Sequence, residues 1–244
     1  MKPPVIAAIN NKGGAGKSKT TEHLGFCLAG MGHCVTLFDG DGQANLSTNL
    51  GIDTKIDQDG RLSDMLEGRH PRPLRLDDWP KSLFLVASDE RLDETASEMA
   101  IHPLRISRLS TALAEWDPDD IVIIDTPPNI GALVYAAMLA ADYVVIPATP
   151  MPESVAGAKR TLEKLDEVRR ETGRAPKVLG IVATQVEAHT IAHQEGLEAL
   201  EGLGVPLLGC VPHRVGRDAH TQLRAAYWPI AQRVLGAIGR GGGA

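Results

Sequence analysis

Residues 10–21 read Asn-Asn-Lys-Gly-Gly-Ala-Gly-Lys-Ser-Lys-Thr-Thr. Glycines at 13, 14 and 16 let a backbone curl so that successive N–H groups point inward, the geometry that cradles phosphate oxygens. The stretch follows the apolar run Val5–Ile9 and precedes a helical pattern, Leu24, Leu28 and Met31. Strand, glycine-rich loop and helix together aim the positive end of a helix dipole at the same anion. Lys17 is placed to reach β- and γ-phosphates and the Ser18 hydroxyl to ligate Mg²⁺. Asn11 stands where such a loop usually opens with glycine, and asparagine tolerates positive φ, so the turn is kept. The chemistry implied is nucleotide binding by Asn11, Gly13, Gly14, Ala15, Gly16, Lys17, Ser18 and Lys19.

Carboxylates follow at two strand ends. Cys34–Phe38 is a short apolar run that leads into Asp39-Gly40-Asp41-Gly42-Gln43. Parallel α/β sheets bind ligands beyond the C-terminal ends of their strands, and the i, i+2 spacing sends Asp39 and Asp41 to one side of an extended chain. Ile121–Ile124 gives four consecutive β-formers, as in a central strand covered on both faces, and ends in Asp125-Thr126-Pro127-Pro128. An aspartate after an apolar run is common; downstream of a phosphate loop it is a candidate to hold a metal's water shell.

Lys12, one position before the Gly-Gly, is superfluous for holding a single nucleotide, because Lys17 serves that. In this respect the loop resembles the deviant Walker A motif, Lys-Gly-Gly-x-Gly-Lys-Ser/Thr, of the ParA/MinD family of ATPases. Asp39–Gln43 resembles that family's Asp-x-Asp-Pro-Gln, with Gly42 in place of proline, and Asp125–Pro128 its Asp-Thr-Pro-Pro. Pro212 resembles the proline of its Ile-Pro-Arg segment. The resemblance runs from Ile6 to about Ile238. It implies that Lys12 crosses a dimer interface to the partner's nucleotide and that Asp41 positions or activates the attacking water. It also implies that Asp39 supports Mg²⁺ through water and that Pro212 packs against adenine. Lys19 departs from the family's threonine at the α-phosphate, where the backbone N–H still serves.

The elements must bring these groups together. Strands are expected at Leu83–Ala87, Tyr143–Ile146, Val178–Ala183 and Pro206–Val211 besides those above. Helices are expected at Leu62–Leu66, Leu92–Ala100, Ile106–Trp116, Pro152–Thr172, Ile191–Leu203 and Ile230–Ile238. Strands alternating with helices predict an α/β fold, a mainly parallel twisted sheet with helices on both faces. The 244 residues, 43% hydrophobic and only 4% aromatic, suit one domain over 1–244 with an aliphatic core and a flexible tail at 239–244. Residues 52–82 are polar and proline-dotted and read as surface. Three cysteines, Cys27, Cys34 and Cys210, lack CxxC spacing and read as small buried residues of a reduced protein. His189 and His193 stand at i, i+4, a zinc-capable spacing, but without the glutamate of a metalloprotease they read as surface histidines.

Net charge is −6, which argues against a wholly basic nucleic-acid binder. Its distribution is uneven. Residues 1–150 hold 13 Lys+Arg against 21 Asp+Glu, whereas from Val205 onward five arginines face one acid, Asp218. A local basic face including Arg214, Arg217 and Arg224 is therefore expected near the C-terminus.

The resemblance implies an ATPase using ATP and Mg²⁺ that forms an ATP-dependent homodimer and binds non-specific DNA. It would position a plasmid, a chromosomal origin or a protein compartment, with hydrolysis stimulated by a ParB-like adaptor. No signal peptide and no N-terminal helix-turn-helix are expected, and the protein is expected to be cytoplasmic and nucleoid-associated. Two rivals stay open. A MinD-like membrane-associated ATPase is disfavoured by the weak amphipathicity of the last helix, so no stable membrane association is expected. A small-molecule ligase of the same fold, of the dethiobiotin-synthase kind, is disfavoured by Lys12 and the Asp-x-Asp motif.

Overall fold

The computed structural model describes residues 2–53, 60–75, 77–117, 120–187, 189–214, 216 and 218–239. Among them the chain alternates strand and helix almost without exception. Val5–Ala8 (β1) leads to Lys17–Gly30 (α1), Cys34–Asp39 (β2), the short helices Asn45–Asn49 (α2) and Leu62–Leu66 (α3), and Leu83–Val86 (β3). Leu92–Ile101 (α4), a 3₁₀ turn at Pro103–Ser107, Arg108–Ala114 (α5), Asp120–Asp125 (β4), Ala132–Ala140 (α6) and Tyr143–Ala148 (β5) follow. Pro152–Thr172 (α7), Lys177–Val186 (β6), Ile191–Glu201 (α8), Leu207–Pro212 (β7) and Ala219–Ala237 (α9) complete the order. All seven strands are parallel, in the order β3-β2-β4-β1-β5-β6-β7.

The sheet is buried on both faces because β1 and the interior of β4 are apolar at every position. Val5 and Ala7 of β1 face one core with Val122 and Ile124 of β4, while Ile6, Ile121 and Ile123 face the other. That period-two division is the ordinary pleat. Residues of α3–α8 pack in the first core and those of α1, α2 and α9 in the second, so helices cover both faces as the alternation predicts.

Three readings of the sequence are corrected. The last helix spans Ala219–Ala237, not Ile230–Ile238, and carries Pro229 inside it. A mid-helix proline removes one backbone bond and costs about 3 kcal/mol. Here Leu223, Tyr227, Ile230, Ala231, Val234 and Leu235 bury one face against α1 and β7, which offsets the loss. The region 52–82 is not merely surface: Arg61, Leu62, Met65, Leu66 and Trp79 are buried, and Leu74 bridges antiparallel to Leu85. Cys27 is buried but Cys210, on edge strand β7, is exposed. Residue 240 onward, including most of the expected tail, lies outside the described residues.

β1, β2 and β4 end level with one another, since Ala8 pairs with Asp125 and Asp39 with Asp125. Just beyond, Gly40 donates its N–H to the Asp125 carbonyl (3.1 Å), and a Cβ at position 40 would lie 2.6 Å from that backbone oxygen. Gly40→Ala should therefore push β2 from β4 at the level of the carboxylates and cost about 1–3 kcal/mol, read as a lower urea midpoint at unchanged m-value.

Candidate functional site

The loop between β1 and α1 is shaped by its own glycines and held from β6. Gly14 and Gly16 adopt positive φ (75° and 87°), which a side chain rarely tolerates. The Thr184 hydroxyl donates to the Ala15 carbonyl (2.8 Å), and the Gln185 amide to the Gly14 carbonyl (2.8 Å). Both come from β6, and Gln185 itself sits at φ 54°. With two of its carbonyls tied back in this way, the loop borders a cavity of about 340 Å³. Gly13–Lys19, Asp41, Gln43, Asn45, Asn49, Pro128 and Gln185 line it. No acid stands in the first turn of α1, so the helix dipole there is left for an anion.

Lys17 is buried, and its ammonium bridges the loop to the Lys12 carbonyl (3.2 Å). Burial lowers its pKa, against the opposing pull of Asp125 and Asp41. Behind the cavity wall Asp39 and Asp125 are fully buried side by side. Asp39 accepts from the Ser47 N–H (2.8 Å), the Ser47 hydroxyl (2.7 Å) and the Asp41 N–H (3.3 Å). Burial still pushes its carboxyl up to about 6. Asp125 accepts at Oδ1 from the Thr126 N–H (3.0 Å), while its Oδ2 is buried without a partner. Burial, then the neighbouring Asp39, push it up to about 8.

Asp41 occupies the wall itself. Its backbone carbonyl accepts from the Ser88 hydroxyl (2.7 Å) and its Oδ1 from the Gln43 N–H (3.0 Å). The i, i+2 expectation is thus half right: both carboxylates are at the strand end, but β2 stops at Asp39 and only Asp41 reaches the cavity. At Gly42 a Cβ would lie 2.1 Å from Asp93 Oδ1 on α4, the tip of an exposed side chain that would have to turn away. Lys12 is absent from the cavity lining, and its ammonium pairs with Glu153 at the start of α7 (3.0 Å).

A smaller cavity of about 100 Å³ adjoins Gly16 and Lys19, walled by His23, Thr184, Pro212, Arg214, Leu223 and Tyr227 among others. Pro212, the last residue of β7, shares this cavity with Gly16 and Lys19. Arg214 is exposed and donates to the His213 carbonyl (3.1 Å). Arg224 stacks over Phe26 at 3.9 Å. Arg217 lies outside the described residues. Thr184, Gln185, Asn45 and Asn49 were not singled out from the sequence; only the fold brings them to the loop.

The donor set fits a magnesium–triphosphate group: a cradle at a helix N-terminus, a buried ammonium, a hydroxyl at Ser18, and a buried carboxylate oxygen lacking any partner. A glycine-rich loop and a buried aspartate at the end of a parallel strand beside it define a P-loop protein of the α/β class. A family profile described as an AAA domain matches residues 3–178. The chain is 30% identical over 229 residues to the probable plasmid-partitioning protein ParA of Thermus thermophilus, covering 91% of this chain and 70% of that one. It is 32% identical to the sporulation initiation inhibitor protein Soj of Bacillus subtilis, covering 76% and 74%. Among solved structures, cobyrinic acid a,c-diamide synthase of Mycobacterium smegmatis with bound ATP analogue and magnesium superposes with a TM-score of 0.84. Its identity is 26%, over 98% of this chain and 97% of that one. The chain belongs to the ParA family of P-loop ATPases.

Both buried carboxyls have pKa values above the ordinary carboxylate range, so folding favours their neutral forms. The stability they lend is full below about pH 4 and is lost as pH rises through about 6 for Asp39 and about 8 for Asp125. Nucleotide-free protein in chelator should melt at a lower temperature at pH 8 than at pH 6, and Asp125→Asn should flatten that slope. An equally steep slope in the variant would show that Asp125 is ionised and paired throughout.

Proposed function

We propose that this chain is a ParA-type positioning ATPase. It binds ATP with Mg²⁺, pairs with a second copy across the bound nucleotides, and hydrolyses ATP to ADP and phosphate to release the pair. The observation that carries the reading is the division of labour between two lysines on one loop. Lys17 points into the phosphate cavity, whereas Lys12 turns outward to Glu153, with 43% and 77% of the two side chains exposed. An ion pair so exposed is worth about 0–1 kcal/mol, so a partner's phosphates can displace Glu153 at little cost.

In this reading the loop N–H groups and Lys17 bind the phosphates, and Lys17 leaves the Lys12 carbonyl to do so. Ser18, Asp39 and Asp125 would hold Mg²⁺, which would supply positive charge against the phosphates. Asp41, on the wall and fixed by the Gln43 and Ser88 hydrogen bonds, orients the attacking water. Pro212 and the small cavity receive the base. The ATP dimer binds DNA without sequence preference, and a ParB-like adaptor stimulates hydrolysis. Such a protein acts in the cytoplasm on the nucleoid and positions a plasmid, chromosomal origin or protein compartment. Among the described residues no helix is long and apolar enough to cross a membrane.

Lys12→Ala should abolish ATP-dependent dimerisation and activity, a loss of roughly 10³-fold or more if Lys12 acts as an arginine finger does. Nucleotide binding by the monomer should persist. An ATP dimer of this variant in light scattering would refute the role in trans. Asp41→Ala should instead accumulate the ATP dimer.

The DNA contact is assigned to the arginines that follow β7. Arg214 and Arg224 are exposed at the end of β7 and on α9, and Arg217 falls between them in sequence. Each phosphate contact contributes about −0.9 to the slope of log K against log salt. Two or three arginines per subunit should give a slope of roughly −4 to −5 for the Asp41→Ala protein with ATP. Arg217→Glu with Arg224→Glu should reduce both affinity and slope. No ATP-dependent DNA binding at all would favour a second reading, an ATP-dependent enzyme acting on a small molecule, which the similarity to the cobyrinic acid a,c-diamide synthase supports.

A further inference from the structure

The seam between α1 and α9 holds three side chains able to ligate a metal, one of which, His23, also walls the cavity assigned to the base. Glu22 and His23 follow the phosphate loop on α1, and His220 lies in the first turn of α9. One ligand atom from each lies within 4.8 Å of the other two. His220 Nδ1 is 3.4 Å from Glu22 Oε1, and His23 Nε2 is 4.0 Å from the same oxygen. Nitrogen and oxygen ligands at 2.0–2.2 Å from a tetrahedral ion are themselves about 3.3–3.6 Å apart, so the first pair is already at that spacing. Side-chain adjustment of His220, 65% exposed, can bring its ring closer.

The burial of the two α1 ligands is a further observation. His23 is 1% exposed and turns Nε2 toward Glu22, while its other ring nitrogen, Nδ1, is buried without a partner. Glu22 is a carboxylate buried to 3% exposure, with an exposed imidazole as its ion-pair partner at hydrogen-bond range. We propose that Glu22, His23 and His220 form a zinc-class cation site that ties α9 to α1 beside the nucleotide pocket.

The chemistry selects the ion. Burial, then His220, Arg224 and Lys19, lower the His23 pKa to about 3, so the ring stays neutral and its lone pair is available. The same Arg224 and Lys19 repel any cation held by charge alone. That repulsion acts on every dication alike; two imidazoles in a set of three favour an ion that bonds strongly to nitrogen over the oxygen-seeking Mg²⁺ or Ca²⁺. Two histidines and one glutamate are a three-ligand set that leaves a fourth position for water. The ion enters past exposed His220. Because His23 also walls the 100 Å³ cavity with Pro212, Leu223 and Tyr227, occupancy fixes one wall of the pocket assigned to the base.

Zinc alone is the probe, titrated into the full, nucleotide-free chain against a chromophoric chelator. One Zn²⁺ per chain with sub-micromolar Kd is expected, with His220→Ala and Glu22→Gln each weakening it at least 100-fold. Co²⁺ in the same site should give the intense visible bands of tetrahedral coordination, lost in His220→Ala. The double variant His189→Ala with His193→Ala, on the far side of β6, should bind zinc as the parent does. Zinc should also raise the melting temperature of the parent by several degrees and leave His220→Ala unmoved. A stoichiometry well below one, or undiminished affinity in His220→Ala, would overturn the site and leave Glu22–His220 a plain ion pair.

Discussion

The constraint on which the rest depends is the burial of two carboxyls at the level where β2 and β4 end. Asp39 and Asp125 are both fully enclosed and paired in register. Two like charges in a low-dielectric interior are costly unless each is hydrogen-bonded, protonated or matched by a cation. Asp39 is met by three donors from the turn that follows it, which is why Ser47 and α2 fold back over the strand end. Asp125 accepts from the Thr126 N–H, has the Ser18 hydroxyl and the Lys17 ammonium near it, and keeps a buried Oδ2 without a partner at hydrogen-bond distance. The folded chain is thus most complete with positive charge near Asp125, and Lys17 supplies only part of it.

That arrangement was legible in part. The strand–loop–helix pattern, the Asp-x-Asp ending and the buried run before Asp125 are local, and local period and turn chemistry are what a sequence displays directly. The parallel sheet followed from alternation. What could not be read were contacts between elements far apart in sequence. Thr184 and Gln185 buttress a loop some 170 positions earlier, yet in the sequence they are two residues near the end of an ordinary strand. The length of α9 was missed because Pro229 argues locally for a break, while the apolar face that overrides it is a property of tertiary packing.

A departure from the family pattern also becomes intelligible only in three dimensions. Gly42 looks like a loss of rigidity where proline is usual. In the fold, the space any Cβ would fill is taken by Asp93 from α4. Rigidity there comes instead from Asp41 itself, whose side chain closes the turn onto the Gln43 N–H and whose carbonyl is held by Ser88. The same carboxylate is thus fixed by different means.

The seam between α1 and α9 extends this logic to the other end of the pocket. Thr20, one turn into α1, shares a hydrogen bond with the Tyr227 hydroxyl (2.8 Å), and Tyr227 stacks on His23 with ring centroids 5.5 Å apart. Trp228 lies over Gly30, where a Cβ would come within 3.3 Å of its ring. The helix that starts the phosphate cradle is therefore braced along its length by the last helix of the chain. Lys17 and Ser18 stand in the first turn of that helix, so their placement depends on its packing against α9. The small cavity and the glycine-rich loop are joined through α1, which contributes residues to both.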